Sequence, residues 1–152
     1  MELYLLINFR FCVRPGQGTP SGFDLGDLVC EGDLGGASSV GHVPDQGMMI
    51  YLSVTQLLDD LGDFLTGAGK ELTFTGVDTS FELVFRQGKK EISVAWNEGV
   101  IARVSRGDLA ESVAEAASEL ANSGLALLPL QDAVRVDYLA ALHNFLTTAV
   151  SP

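Results

Sequence analysis

Cys12, Cys30, His42 and His143 are the side chains with which this chain would perform nucleophilic or metal chemistry, and their spacing favours neither. A Ser, Cys or Asp nucleophile needs a base within hydrogen-bond reach. His42 stands in the stretch GGASSVGHVPDQG and reads as a solvated loop residue; His143 falls in a helical pattern and reads as an edge residue of helix packing. No motif ties either to a nucleophile. Zinc requires Cys and His clustered at ligand spacing, whereas the two of each here are scattered. DLGDLVCEGD places Leu and Val where a calcium loop needs oxygen ligands. Asp59, Asp60 and Asp63 offer carboxylates to a hydrated magnesium ion, but a solvated helix face accounts for them more simply.

Phosphate cradles are equally poorly supported. PGQGTPSG follows a strand pattern, yet its glycines are spaced GxGxxxG and no helix opens behind them. GAGKEL lacks both the earlier glycine and the Ser or Thr after Lys70 that a P-loop requires. Phe74, Phe81, Phe85 and Trp96 would make a base-stacking platform only if they were exposed. With Glu82 and Glu91 on the opposite face, they are expected in a core. The sequence therefore leads us to expect no catalytic residue, no cofactor and no metal site.

Charge is the stronger signal. Nine basic residues stand against twenty acidic ones, a formal charge of -11, which repels nucleic acid and anionic lipid and attracts a basic protein partner. The acids are grouped: Asp59, Asp60 and Asp63; then Asp108, Glu111, Glu115 and Glu119; then Asp24, Asp27, Glu31 and Asp33, none with an adjacent basic residue. Like charges three or four apart on a helix repel by roughly 0.2 to 0.5 kcal/mol per pair. The second group therefore marks a ridge that helix stability alone does not select. These helical carboxylates are the candidate partner-binding residues, set against ordinary solubility.

The elements that position them follow from periodicity. Leu3, Leu5, Ile7, Phe9, Phe11 and Val13 alternate with Tyr4, Leu6, Asn8, Arg10 and Cys12, which predicts a strand with one buried face. A loop over Pro15 to Asp24 leads to a second strand, DLVCEGDL, and Gly35 to Gly47 reads as irregular. MMIYL is expected to be a short strand entering a helix capped by Ser53 and Gln56, with Leu57, Leu58, Leu61, Phe64 and Leu65 inward and Gly67 to Gly69 ending it. Four strands follow, ELTFTG, SFELVFR, EISVAW and VIARVS, as an antiparallel meander whose last hairpin uses Gly99 in the left-handed position. Ser105 caps a helix that buries Leu109, Val113, Ala116, Ala117 and Leu120 and stops at Gly124; a last helix runs from about Gln131 to Ala149 with Val134, Tyr138, Leu142, Phe145 and Ala149 as its apolar stripe.

The sum is a single α+β domain over residues 1–152: an antiparallel sheet of about six to seven strands, one inserted helix, and two C-terminal helices packed on it. A hydrophobic fraction of 47% suits one buried core, and no run reaches the ~18 apolar residues of a membrane span. The start, MELYLLINFRFCVRP, reads as a strand and not as a leader. Cys12 and Cys30 lie on separate strands, so a bridge between them is conceivable, but two reduced, buried thiols of a cytoplasmic protein are expected.

The strand MMIYL entering SVTQLLDDLGDFL, the meander FTGVDTSFELVFRQGKKEISVAW and the helix GDLAESVAEAASELANSG together resemble, over about residues 48–124, the small acidic immunity-type proteins of bacterial polymorphic and contact-dependent toxin systems. The resemblance is one of style and element order. It implies a non-enzymatic inhibitor that binds a cognate toxin domain, often a basic nuclease, and it assigns no site residue. The alternative from the loops is a small-molecule or carbohydrate-binding module using Pro15 to Asp24 and Gly35 to Gly47. Self-association would need another surface, such as an edge of the meander, because two identical acidic faces repel.

Overall fold

The computed structural model describes residues 7–67 and 69–150. The first strand, β1 (Ile7–Val13), buries Ile7, Phe9 and Phe11 and exposes Asn8, Arg10 and Cys12, as its alternation predicts. The expected residues Leu3 to Leu6 lie outside the described part. β2 (Leu25–Gly32) pairs with it antiparallel, setting Phe9 against Cys30 and Cys12 against Asp27. On the far side of β2 lie two short strands, β3 (Gly36–Ser38) and β4 (Met48–Met49), at opposite ends of its edge. The first falls inside the stretch read as irregular. Gly-Ala-Ser carries no strand pattern, and it is extended because β2 offers it an unpaired edge.

The meander forms as expected, through β5 (Glu71–Thr75), β6 (Glu82–Gln87), β7 (Ile92–Trp96) and β8 (Gly99–Val104). The strands divide into two four-stranded antiparallel sheets instead of running through one. A bulge joins them. Val94 pairs with Ala102 and Ala95 with Val100, so Ile101 is the extra residue, and its carbonyl accepts, at 3.0 Å, the N–H of Leu34 in the bend between β2 and β3. The last hairpin also differs from expectation: Asn97 and Glu98 take the positive φ values, 49° and 67°, and Gly99 is a strand residue paired with Trp96. A two-residue loop needs both central residues left-handed to match strand twist, which puts the glycine one place too late.

Three helices complete the α+β domain: α1 (Ile50–Leu65), α2 (Arg106–Ser123) and α3 (Ala133–Phe145). α1 leaves β4 directly, three residues before the expected cap. Tertiary acceptors replace a capping side chain there, since Met49 N–H donates to Val77 O and Ile50 N–H to Asp24 O. Ser53 is thereby inside the helix, and its Oγ accepts the Val77 N–H at 2.9 Å. α2 does begin at its predicted cap, with Ser105 Oγ accepting the Asp108 N–H at 3.1 Å. Asp132 caps α3 through the Val134 and Arg135 N–H groups, and a wider π-helical turn, Leu146–Val150, follows it.

α3 packs along α1, α2 packs along β1, and Phe64 of α1 meets Phe85 of β6 with ring centroids 6.5 Å apart. Both sheets and all three helices contribute to one buried apolar cluster. Ser112 of α2 also covers the β1 edge, its Oγ accepting the Phe9 N–H at 3.3 Å. Among the described residues no helix is long and apolar enough to cross a membrane.

Candidate functional site

Asp108, Glu111, Glu115 and Glu119 are all exposed on α2, opposite buried Leu109, Val113, Ala116, Ala117 and Leu120. Spacings of three and four residues place them in one strip along the helix. The strip borders a groove of about 410 Å³ in which Glu111, Glu115 and Glu119 stand beside Leu146 and Val150. The ion pairs among the described residues, Arg14 with Asp27 and Asp45 and Arg86 with Glu71, leave these four acids uninvolved.

The acids of α1 form a separate patch. Asp59 and Asp63 are exposed and Asp60 is half-buried. Partial burial raises the Asp59 carboxyl above its usual range, and Asp60, Asp63 and Asp137 of α3 push it the same way. No carboxylate of α2 takes part. Among the described residues no group of three or more His, Cys, Asp and Glu side chains is placed to hold a metal ion.

Of the third acidic group, Asp24, Asp27, Glu31 and Asp33, Asp27 is ion-paired. The Arg14 guanidinium forks onto Asp27, with Nε and Nη2 at 2.8 and 2.9 Å, and onto Asp45, with Nη1 and Nη2 at 2.8 and 2.9 Å. Hydrogen bonding to Arg14 holds both carboxyls below the usual range, despite the opposing effect of burial. Spacing along the chain cannot show this, because Arg14 and Asp45 meet only through the β1–β2 pairing and the approach to β4. Gly47 lies flat against the guanidinium, where a side chain would overlap it.

Each loop is held by its own contacts. In the first, Gln17 closes the base: its Nε2 donates to Arg14 O and Leu25 O, and its Oε1 accepts the Leu25 N–H at 2.7 Å. The second is fastened to the meander side, with Thr79 Oγ1 donating to Gln46 O. His42 Nε2 lies 2.7 Å from Ser38 O, and its ring stands edge-on to Trp96. His42 is thus half-buried rather than a solvated loop residue; His143 is exposed on α3. The cysteines remain free, Cys30 buried and Cys12 exposed, which corrects the expectation that both are buried. They point to opposite faces of the β1–β2 ribbon.

Beneath the first loop lies a cleft of about 450 Å³, with no lining residue from the second loop. Phe11, Val13, Leu120 and Leu127 wall it, and Gln17 and Asp24 stand at its rim. Tyr51 lines its inner end, only 2% exposed. The Tyr51 ring meets Tyr138 edge-on at 6.4 Å, and Tyr138 donates its hydroxyl to Ala117 O at 2.6 Å. The Tyr51 hydroxyl has no such partner among the described residues. It is also not sealed away: the one fully enclosed side-chain oxygen without a partner among them is Gln46 Oε1.

Gly124 makes room for this hydroxyl. Its φ of -115° requires no glycine, but a Cβ there would overlap the Tyr51 oxygen. Burial, assisted by the Asp24 carboxylate, raises the Tyr51 phenol above its usual range, so it stays protonated at neutral pH. Nothing in the pattern of MMIYL sets Tyr51 apart from its apolar neighbours. The available signal was its hydroxyl, which on a buried helix face has to find a partner. Comparison with known proteins finds no matching family model, no matching curated protein and no matching solved structure.

Proposed function

We propose that this protein is a non-enzymatic binding protein, an immunity-type inhibitor that takes a basic toxin domain on the outer face of α2. The carrying observation is the juxtaposition in the α2 groove. Three exposed carboxylates outside every ion pair of the described residues, Glu111, Glu115 and Glu119, run beside the apolar side chains of Leu146 and Val150, with Asp108 on the same helix face. An apolar strip with a charged border suits a protein interface, where buried apolar surface holds the partner and charge orients it. The acids of α1 add to the same field from a separate patch. Two free thiols fit a reducing, cytoplasmic setting.

The test compares the native protein with the triple variant Glu111→Lys, Glu115→Lys, Glu119→Lys, both immobilised and exposed to material from the source cells. A basic protein held by the native chain, released by high salt and toxic when expressed alone, is the expected result. The variant should associate at least roughly tenfold more slowly, the scale of electrostatic steering. Equal capture by both proteins would remove the ridge from the reading.

A further inference from the structure

We propose that the cleft over Tyr51 is a binding site for a small organic cation, an amine carried on an apolar body the size of a single ring. The site goes beyond the protein interface on the α2 ridge and does not depend on it. A volume of about 450 Å³ lies within the range of small-ligand pockets. Its walls of Phe11, Val13, Leu120 and Leu127 suit an apolar body.

The polar side chains of the lining decide the sign of the charge, because most of their donors are already engaged. Arg14 gives its guanidinium to Asp27 and Asp45. Both Gln17 amide donations go to Arg14 O and Leu25 O, and Ser123 gives its O–H to Glu119 O. What remains is rich in acceptors. Asp24 uses only Oδ2, for the Ser21 N–H, and Ser123 Oγ and the Tyr51 oxygen keep their lone pairs. An ammonium donates three N–H groups and accepts none, so it matches these acceptors, whereas a carboxylate would face Asp24, whose charge no ion pair of the described residues offsets. The net charge of -11 acts in the same direction.

The experiment is a titration of 15N-labelled protein, followed by amide shifts, with phenethylamine, its neutral counterpart 2-phenylethanol and the anion phenylacetate. Phenethylamine should move the amides of Gly16 to Asp24 and of Ser123 and Gly124, with the alcohol at least roughly tenfold weaker and phenylacetate without effect at these amides. Asp24→Asn should abolish the preference of amine over alcohol. Tyr51→Phe should weaken the amine by roughly three- to tenfold, the loss of one hydrogen bond. Leu127→Trp, at a largely exposed position of the cleft wall, should block binding without touching the core. It keeps the test decisive if the Tyr51 variant fails to fold. The proposal is overturned if phenethylamine leaves those amides unmoved, if phenylacetate binds equally, or if the shifts follow Glu111, Glu115 and Glu119 instead.

Discussion

Ser53 is fully buried on α1, and its Oγ is the acceptor for the Val77 N–H that begins the turn between β5 and β6. A buried N–H left without a partner costs about 1 to 3 kcal/mol. Ser53→Ala should therefore lower the urea midpoint by an amount equivalent to that loss, with an unchanged slope of unfolding against denaturant. A midpoint within error of the native value would mean that water replaces the hydroxyl. Gly124 is governed by space in the same way. Gly124→Ala should destabilise the fold by driving its methyl into the Tyr51 oxygen, and Tyr51→Phe in the same chain should recover most of the loss. If Tyr51→Phe gives no recovery, the contact is not the cause.

At the scale of elements, α1 and β2 carry carboxylates whose pH dependences oppose each other. Asp59 on α1 has a raised carboxyl, first from burial and then from Asp60, Asp63 and Asp137. Its contribution is favourable below the unfolded value of about 3.9 and is lost as pH rises through the folded value. Asp59→Asn should thus stabilise the protein at neutral pH, and the gain should vanish in acid. Asp27 on β2 has a lowered carboxyl, first from its hydrogen bond to Arg14. It contributes stability above the same unfolded value and loses it as pH falls through its folded one. Asp27→Asn should cost stability at neutral pH and flatten the acid limb of the unfolding curve. Thermal melts between about pH 3 and 7 read both, since that span brackets the unfolded carboxylate value; parallel curves for native protein and variants would contradict the assignments.

For the whole molecule, the two thiols report on different depths. Cys12 is exposed on the outer face of β1, while Cys30 lies in the shared core with 0% exposure and a thiol pushed up to about 12 by burial. A thiol reagent at neutral pH should modify one cysteine per chain quickly. The second should react only at the rate of opening, because the thiolate is the reactive form and the core excludes the reagent. Two fast equivalents would indicate that the β1–β2 ribbon separates from the helices without global unfolding. One core spanning both sheets predicts that it does not.

Periodicity alone determined the α+β class, the inward faces of β1, α1, α2 and α3, the meander and the exposure of the α2 ridge. Each depends on residues a few positions apart, where a repeat of two or 3.6 directs side chains to one side. The split into two sheets, the β3 strand, the start of α1 and the Arg14 clamp on Asp27 and Asp45 depend on partners distant in sequence, and they carry no local pattern. The Tyr51 cleft belongs with these. It exists because a loop folded over by Gln17, the end of α2 and the first turn of α1 converge. A tyrosine, a helix-stopping glycine and a few apolar residues acquire a common meaning only once the chain has brought them together.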